Sequence, residues 1–339
     1  MKDIIIAGAG PAGLIAAETA AKKGLDTLII EKKKKIRNKP CGGGITPAAL
    51  KKFKIKCKGK KIRKLVFKIN GVSSEIKLDK PILSVYRKEF NNYLLSRALN
   101  AGAKIKFNKE YNREKAKVII LATGANLKAK DTLALAVQTE IKHYNSNKIE
   151  LFYGKRISPY GYGWVFPKEK STIIGVGCLM SKLTNLPKIK DYLNKILKEK
   201  ELKAKKLEVG FIPFIGPIKK TYSKNRLIVG DAAGFVSPFS GEGIYYAMSS
   251  GKIAAQIAQE HIKSGIPLYT YEKKWKKEFG KILRLNYLFA RTVYGNEKIL
   301  EFFIKELGKN KALQNLVKKH FMEKKVSFFD IIKSVARLK

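Results

Sequence analysis

The sequence predicts an α/β protein in which a discontinuous parallel sheet encloses an inserted antiparallel sheet, followed by a helical segment. Three observations lead to this prediction. A strand, a glycine-rich turn, a helix and a second strand succeed one another within residues 2–31. A further buried strand runs directly into a second glycine cluster at residues 226–234. Between the two, short segments alternate polar and apolar residues, which is typical of antiparallel strands.

The first element is a βαβ unit. Ile4–Ala7 is a continuous apolar run that predicts a buried strand, and Leu28–Glu31 predicts its parallel neighbour. The segment Leu14–Gly24 between them has helical character. Its small alanines would pack closely on a sheet, and its final glycine would end the helix.

A hairpin and another helix–strand pair follow. Asn70–Gly71 separates two alternating runs, 65–69 and 74–78, which is a strong signal for a β-hairpin. Residues 90–99 predict a helix, and residues 118–122 predict a buried strand.

The remaining elements are predicted from the same patterns. Short strands are predicted at 134–141, 148–153, 163–166, 171–177 and 226–229, and helices at 191–198 and 247–262. The final ~70 residues are basic and carry apolar residues at helical spacing.

The charge of the chain bears on its partners. There are 71 Lys and Arg against 27 Asp and Glu, a formal net charge of +44, and only ten of the basic residues are arginines. Proteins that read nucleic acids favour arginine for its bidentate fork. The lysine excess therefore favours three explanations in this order: a general bias in amino-acid composition, attraction to an anionic membrane surface and, last, binding to nucleic acid. The 45% hydrophobic content argues against a disordered chain.

Cysteines and apolar runs bear on location. Cys41, Cys57 and Cys178 are odd in number and widely spaced, which argues against a disulfide framework or a cysteine zinc site and fits a reducing cytoplasm. No apolar run approaches the ~18 residues of a membrane-spanning helix, and the first residues show no secretion signal. The three histidines stand in no metal-binding pattern, so no metal is predicted. We expect a cytoplasmic protein that is not integral to a membrane.

A glycine motif follows the first strand directly. Gly8 allows a tight turn, Gly10 lets the backbone approach a pyrophosphate, and Gly13 lets the helix pack close to the strand. The helix N-terminus offers N–H donors to the phosphates, and Glu31 at the end of the second strand can accept from ribose hydroxyls. The alternative is a chance glycine turn. The residues predicted to contact a dinucleotide here are Gly8, Gly10, Pro11, Ala12, Gly13, Glu31 and Lys32.

A second glycine cluster bears on which dinucleotide is bound. Gly230–Gly234 follows a buried strand, and Gly243 and Ile244 precede a helix. In this region the sequence resembles the FAD-dependent family that includes p-hydroxybenzoate hydroxylase. The resemblance implies that Asp231 contacts FAD and that the backbone of Gly243 and Ile244 lies near the isoalloxazine. An Asp that only caps a helix is the alternative. The resemblance further implies cofactor contacts at Arg87, Gly124, Gly230 and Gly241.

Three motifs narrow the resemblance. Lys39–Gly44 (KPCGGG), Tyr160–Pro167 (YGYGWVFP) and Gly230–Ile244, in this order, resemble the geranylgeranyl reductase family, and the similarity covers residues 1–260. Members of this family use FAD to saturate isoprenoid double bonds, as in archaeal membrane lipids, chlorophyll phytyl chains and menaquinone tails. Arg87–Phe90 resembles the family's Arg-x-x-Phe-Asp, although Asn91 stands in place of the Asp. The shorter C-terminal part leaves the headgroup of the substrate open.

The resemblance also points to a catalytic group. It implies that Cys41 lies beside the isoalloxazine, and the adjacent glycines would let the backbone pass close to a flat ring. Two interpretations stay open: Cys41 positions the flavin or supplies a proton, or it only packs within the loop. Cys41, Gly42 and Gly43 are predicted to contact the cofactor, and Cys41 and Tyr162 are the candidate proton donors.

Aromatic residues crowd the second motif. Tyr160, Tyr162, Trp164 and Phe166 lie within seven residues. We interpret Tyr160, Trp164 and Phe166 as the wall of an apolar tunnel for a prenyl chain, because aromatic faces suit polyisoprene. A half-buried aromatic strand is the alternative.

We therefore predict an FAD-dependent reductase that saturates C=C bonds of geranylgeranyl chains in a membrane lipid or related prenyl substrate. The electron donor is a ferredoxin-like protein or NADPH, and the net charge would attract an acidic carrier. Access to a lipid would be peripheral, through basic C-terminal helices that carry Phe302, Phe303, Phe328 and Phe329. No nucleic acid is expected.

Two rival functions remain open. One is a flavin monooxygenase or halogenase of the same fold. The other is a non-catalytic basic protein that binds nucleic acid or a membrane, which is suggested by the charge alone.

The predicted fold is thus a discontinuous Rossmann-like FAD-binding domain with an inserted antiparallel β-sheet substrate domain and a C-terminal helical region. Residues 1–70, 80–130 and 222–265 form the first domain, residues 131–221 the second and residues 266–339 the helical region.

Overall fold

A computed structural model describes residues 1–127, 132–183, 187–214 and 216–324, with residues 187 and 188 described by their backbone alone. Within these ranges the chain forms two compact units. The first contains the described residues of Met1–Asn38, Arg87–Lys128 and Pro213–Arg284, and the second contains the described residues of Lys39–Tyr86, Ala129–Ile212 and Leu285–Lys339.

The elements have the following bounds. The strands are β1 (Lys2–Ala7), β2 (Thr27–Glu31), β3 (Gly44–Ile45), β4 (Lys60–Ile69), β5 (Val72–Ser84), β6 (Lys104–Phe107), β7 (Ala116–Leu121), β8 (Leu133–Lys142), β9 (Lys148–Phe152), β10 (Gly161–Pro167), β11 (Ser171–Leu179), β12 (Glu208–Pro213), β13 (Tyr222–Ser223) and β14 (Arg226–Ile228). The helices are α1 (Pro11–Ala21), α2 (Pro47–Lys52), α3 (Arg87–Asn100), α4 (Pro187–Glu199), α5 (Ile244–Ser264), α6 (Tyr269–Trp275), α7 (Lys281–Gly295), α8 (Glu297–Leu307) and α9 (Lys311–Glu323).

The first unit is built on a six-stranded sheet with the order β13-β14-β7-β1-β2-β6. All its neighbouring strands run parallel except the β13–β14 pair, and Ile6 of β1 stands between Ile29 of β2 and Ile120 of β7. These three isoleucines are buried, as expected for a sheet that is covered on both faces. The predicted βαβ unit is confirmed.

Two helices of the first unit cross closely above this sheet. A Cβ at Gly251 of α5 would collide with the carbonyl oxygen of Ala12 in α1. Ala16 and Ala17 of α1 are fully buried. Small residues therefore allow α1 and α5 to approach each other at the end of α1 that carries the glycine motif.

The second unit is built on an eight-stranded sheet with the order β12-β8-β11-β10-β9-β4-β5-β3. Its registered pairs are antiparallel except β4 and β9, which run parallel with Lys64 opposite Lys148. The predicted hairpin at Asn70–Gly71 is confirmed: β4 and β5 pair from Ile69 opposite Val72, and both turn residues have positive φ, 46° and 84°.

The two faces of the second sheet differ around β10. One face is packed by α4 through a core that contains Val165, Ile174, Val176 and Leu193. Tyr162 and Trp164 alternate with Val165 along the strand and lie on the opposite face. On that face α8 packs over β4 and β5, where the Ser74 hydroxyl donates to the carbonyl oxygen of Ile304 at 2.6 Å.

The compact units differ from the predicted domain boundaries. The hairpin β4–β5 and the strand β3 belong to the second sheet. Residues 39–86 therefore lie in the second unit, whereas the predicted FAD-binding domain contained residues 1–70 and 80–130. The alternation of a hairpin is local, and it carries no information about which sheet its outer edge joins. Likewise, 266–284 belongs to the first unit, so the predicted C-terminal helical region is divided.

In the part of the chain that the structure describes, every helix is too short or too polar to cross a lipid bilayer. Within the same ranges, there is no group of three or more His, Cys, Asp or Glu side chains placed to hold a metal ion.

Candidate functional site

The parallel sheet of the first unit brings the predicted cofactor residues to one edge. Gly8 follows β1, Glu31 ends β2, Gly124 follows β7 and Gly230 follows β14. Since these four strands are parallel neighbours, their carboxyl ends lie at the same edge of the sheet. In open α/β sheets this edge is where ligands bind.

The first glycine turn leaves no room for side chains on its inner side. Gly8 has φ +110° and donates its amide to the carbonyl oxygen of Ile30 at 2.8 Å. A Cβ at Gly8 would collide with the carbonyl of Ala122, and a Cβ at Gly13 would collide with the carbonyl of Gly8 itself. The turn therefore needs glycine at both positions for the path of the chain.

The middle glycine of the motif, Gly10, has a different environment. Gly10 is the N-cap of α1, with Pro11 as the first helical residue, and it has an extended backbone. A Cβ at Gly10 would meet no atom of the described residues within 4 Å. Gly10 therefore borders open space in front of a helix N-terminus, whose unpaired N–H groups and dipole favour a phosphate.

Glu31 is fixed by the backbone around it. One carboxylate oxygen, Oε2, accepts from the amide of Ala9 at 2.8 Å, and Oε1 accepts from the amide of Lys33 at 3.0 Å. Each carboxylate oxygen can accept a second hydrogen bond, so the group can still receive ribose hydroxyls. Lys32, which was also predicted to contact the cofactor, is exposed.

The second glycine cluster packs against the first. Gly230 has φ +62° and donates its amide to the Ser250 hydroxyl at 3.0 Å. A Cβ added at Gly230 would lie 3.0 Å from the Cβ of Ala12, which brings the two predicted segments together. Asp231 is the second residue of a short 3₁₀ turn, and its Oδ1 lies 3.4 Å from the position of a Cβ on Gly243.

The N-terminus of α5 completes this arrangement. Gly243 is the N-cap of α5 and Ile244 its first residue. Gly241, two residues earlier, has φ +63° and donates its amide to the carbonyl oxygen of Ser237 at 2.9 Å. The longer connection after β14, like the one after β1, thus leads from a parallel strand past glycines to the N-terminus of a helix.

Within the described residues, Arg87 and Gly124, the remaining residues of the first unit predicted to contact the cofactor, leave one donor unpaired and one space unfilled. Arg87 begins α3, is only 6% exposed, and its Nε has no hydrogen-bond partner among the described residues. A buried guanidinium N–H without an acceptor is costly, which indicates a missing acceptor such as a ligand oxygen. Gly124 has φ +82° and, like Gly10, borders open space.

Cys41 lies in a tight loop of the second unit. It is half-buried, and its Sγ accepts from the amide of Gly43 at 3.3 Å. Gly43 has φ +68° and its carbonyl oxygen accepts from the amide of Val85 at 2.9 Å. A Cβ at Gly43 would collide with the carbonyl of Val85, so the loop requires glycine there.

Phe166 and Lys168 form the support of this loop. A Cβ at Gly42 would lie 2.7 Å from the Phe166 ring, and one at Gly44 would lie 2.8 Å from it. Lys168 is 1% exposed, and its Nζ donates to the carbonyl oxygen of Gly42 and, at 2.9 Å, to the Ser84 hydroxyl. The two motifs around Cys41 and Phe166 are thus brought into contact.

Sequence reasoning missed Lys168. Its only signal is its position directly after the Tyr160–Pro167 motif. Among so many lysines, nothing in the sequence marks one that is buried.

An aromatic cluster surrounds Tyr162. Its ring centroid lies 5.8 Å from that of Tyr153 and 5.9 Å from that of Trp164, and Tyr153 stacks on Tyr294 of α7 at 6.3 Å. The Trp164 ring covers Gly175, where an added Cβ would lie 2.5 Å from the indole Cε2. Tyr153 and Tyr294 were missed because they lie outside the motif that drew attention.

The buried tyrosines of this cluster keep their protons. Burial, and secondarily the neighbouring tyrosine hydroxyls, raise the pKa of Tyr153 and of Tyr294 well above the ordinary range. Tyr160 differs from these residues. It precedes β10 with φ +52°, and the Nζ of Lys182 lies 4.9 Å from its ring centroid.

The fold of the first unit and its two glycine turns define a dinucleotide-binding protein, and the Nε of Arg87, unpaired among the described residues, fits an anionic ligand. Comparison with known proteins agrees. A family model described as FAD dependent oxidoreductase matches residues 3–121, and one described as geranylgeranyl reductase catalytic domain matches residues 131–212. The chain belongs to the geranylgeranyl reductase family, and it is an FAD-dependent enzyme that reduces C=C bonds of isoprenoid chains.

Similar proteins cover most of the chain. The digeranylgeranylglycerophospholipid reductase of Methanocaldococcus jannaschii is 32% identical, with 88% of this chain and 86% of that protein covered. The protein of the same description from Methanosarcina acetivorans is 33% identical, with 87% and 85% covered.

Solved structures show the same fold. A geranylgeranyl bacteriochlorophyll reductase-like protein from Thermoplasma acidophilum matches with a TM-score of 0.84, at 24% identity over 99% of this chain and 96% of the other. A flavin-dependent brominase matches with a TM-score of 0.77, at 17% identity over the whole of both chains. The predicted cofactor, fold and family are confirmed, and the halogenase alternative shares the fold alone.

Proposed function

We propose that this enzyme saturates the double bonds of geranylgeranyl chains attached to a glycerophospholipid. The observation that carries this substrate is the similarity, at 32% identity over 88% of the chain, to a relative described as a digeranylgeranylglycerophospholipid reductase. The aromatic residues of the second unit support it, because apolar rings suit the walls of a site for a polyisoprene.

The first unit holds the cofactor in this proposal. The N-terminus of α1, opened by Gly10, and the guanidinium of Arg87 would bind the phosphates, and Glu31 would accept from the ribose. Asp231 and the backbone at Gly243 would contact the remainder of the molecule. Bound and reduced, FAD supplies the hydride.

The second unit provides the surroundings of the alkene. Trp164 and Phe166 would exclude water and orient the chain, which an isolated double bond requires because it binds through apolar contacts alone. We propose Cys41 as the proton donor. Tyr162 is the alternative donor, since a tyrosine hydroxyl carries its proton at neutral pH.

Lipid mass spectrometry tests the substrate. The purified FAD-loaded chain, chemically reduced under nitrogen, is incubated with a digeranylgeranylglycerophospholipid. Each double bond saturated should add two hydrogens to the mass of the lipid. An unchanged lipid, together with an oxygenated or halogenated small-molecule product when air and halide are supplied, would favour the monooxygenase or halogenase alternative.

The Cys41→Ala variant tests the proton donor. Loss of one positioned donor should slow turnover per bound FAD by roughly 10²–10⁴-fold, with little change in thermal unfolding because Cys41 is half-buried. Cys57→Ala, another half-buried thiol of the same unit, is the matched control and should turn over like the wild type. If Cys41→Ala also turns over like the wild type, the proton comes from elsewhere and Tyr162→Phe is the next variant.

We further propose that an acidic electron carrier reduces the enzyme. The support is the net charge of +44, which would steer an acidic ferredoxin-like protein. Reduction by such a carrier should slow steeply as salt is raised, whereas reduction by NADPH should depend on salt far less. Fast reduction by NADPH alone would favour the nicotinamide.

The lipid substrate also suggests peripheral attachment to membranes. Leu288, Ile299 and Phe302 of α7 and α8 are exposed apolar residues on helices that also carry lysines. Phe303, in contrast, packs against Phe289 with centroids 5.3 Å apart, and Phe328 and Phe329 lie outside the described residues. The chain should sediment with anionic vesicles at low salt, and Ile299→Ser with Phe302→Ser should weaken this. Equal recovery with neutral and anionic vesicles would contradict it.

A further inference from the structure

One peptide group in the Cys41 loop is held at both of its ends. The carbonyl oxygen of Gly42 accepts from the Nζ of Lys168. The N–H of the same peptide group, on Gly43, donates to the Sγ of Cys41 at 3.3 Å. The buried ammonium and the thiol therefore lie on opposite ends of a single peptide dipole.

The ammonium of Lys168 is itself fixed. Its second partner is the hydroxyl of Ser84, which is 1% exposed at the end of β5. Its backbone amide donates to the carbonyl oxygen of Ser171 at 2.7 Å in the turn between β10 and β11. Burial of a lysine head group is costly and is seldom found without a task for the charge.

The two glycines explain why this peptide needs to be held. The Phe166 ring beneath Gly42 and the Val85 carbonyl beside Gly43 exclude side chains at both positions. A peptide between two glycines rotates easily, because neither residue has a Cβ to restrict it. The cation on the carbonyl and the sulfur at the N–H select one orientation.

The charge also strengthens the contact with sulfur. A cation at the carbonyl oxygen polarises the peptide, which makes its N–H a better donor. A stronger donor stabilises negative charge on the Cys41 sulfur, and sulfur reacts as the thiolate.

We propose that Lys168 is a positioning residue that orients and activates the Cys41 thiol through the Gly42–Gly43 peptide. This inference rests on the proposed role of Cys41 in the reaction. It concerns the state of the thiol, however, and is measured by thiol chemistry in the absence of turnover.

The test is the rate of Cys41 alkylation by iodoacetamide at pH 7.5, followed by mass spectrometry in the folded, FAD-loaded protein with Cys57→Ser as background. Lys168→Met keeps most of the apolar stem of the side chain and removes the charge, and it should slow alkylation by roughly tenfold. Lys168→Arg keeps a positive charge, and its Cys41 should be alkylated within about threefold of the rate in the Cys57→Ser parent protein. Ser84→Ala removes the hydroxyl partner of the ammonium and should also change the rate little.

The outcomes are distinct. Unchanged alkylation in Lys168→Met overturns the inference, and so does equal slowing in Ser84→Ala, which would mean general loosening of the loop. Should Lys168→Met fail to fold, the wild type decides: Cys41 should be alkylated faster than the half-buried Cys57, and the reverse order overturns the inference. If alkylation slows in Lys168→Met while Cys41→Ala turns over normally, the contact between Lys168 and Cys41 through the peptide is supported. Only the role of Cys41 as proton donor is then rejected.

Discussion

Glycines serve different purposes in the two units of this enzyme. In the first unit the atoms that forbid a side chain belong to the backbone, as where Gly13 faces the carbonyl of Gly8. In the second unit some of them belong to aromatic rings instead, as where Gly42 and Gly44 lie against Phe166, although Gly43 between them still faces the carbonyl of Val85. The first kind fixes the path of the chain toward a cofactor, whereas the second makes room for a large side chain.

The contrast teaches what a short motif can reveal. Gly8 and Gly13 contact each other within one turn, so their spacing is visible in the sequence. Gly175 and Trp164 are neighbours only because β10 and β11 pair, and Gly42 meets Phe166 across more than a hundred residues of chain. Glycines of the second kind carry no local pattern.

The largest effect is expected at Gly13. Gly13→Val should destabilise the protein by about 3–5 kcal/mol and abolish FAD binding, because the obstructing atom is a backbone carbonyl that cannot move aside. Gly10→Ala in the same turn is the matched control. The free energy of unfolding of Gly10→Ala should stay within about 0.5 kcal/mol of the wild-type value, whereas its affinity for FAD should fall, because the new Cβ enters open space beside the helix N-terminus. Urea unfolding and FAD titration measure both, and a stable Gly13→Val protein would contradict the argument.

The next effect concerns a buried charge in the second unit. Glu150 is 1% exposed and pairs with Lys200 at 2.7 Å and Lys68 at 3.2 Å. Burial raises the pKa of this carboxyl, but the two lysines outweigh burial and leave it below 4.5, its ordinary value. Glu150→Gln should cost about 3 kcal/mol at pH 7, because the buried carboxylate that pairs with Lys200 and Lys68 is lost and Lys68 keeps Glu199 alone as its carboxylate partner.

The pH dependence of this loss has a defined sign. Since the folded-state pKa is depressed, the stabilisation is present above the unfolded value of 4.5 and is lost as the pH falls through the folded-state pKa. The difference between wild type and Glu150→Gln should therefore shrink in acid. Glu199→Gln, which removes a largely exposed partner of Lys68, is the control and should cost less than about 1 kcal/mol. If the Glu150→Gln protein is as stable as the Glu199→Gln protein, the buried ion pairs of Glu150 do not stabilise the fold as expected.

The smallest effect should be found where a ring replaces the backbone as the obstacle. Gly42→Ala should cost about 1–3 kcal/mol, because the Phe166 ring can shift. Phe166→Leu in the same chain should restore about 1 kcal/mol of the loss, a coupling measured by a double-mutant cycle. Additive costs would mean that the ring and the glycine do not interact, and the contrast between the units would fail.

Sequence reasoning succeeded where the determining contacts are local and failed where they join residues that are distant in the chain. The βαβ unit and the hairpin at Asn70–Gly71 were predicted because turn chemistry and apolar runs act within a few residues. The sheet that the hairpin joins was not predicted, because its partner strand β9 begins at Lys148. Lys168 and Tyr294 were missed for a related reason, as burial of a polar side chain depends on neighbours that are distant in sequence.

The parallel pairing of β4 with β9 bears on how the chain is made. During synthesis β4 emerges from the ribosome before β9 has been made. One edge of the β4–β5 hairpin therefore stays unpaired until residue 152 is synthesised. The first sheet waits longer, because its strand β14 ends at Ile228. Such long-range pairing slows folding, and open strand edges invite association with other chains. A nascent chain that stalls shortly before residue 148 would present that edge to its neighbours.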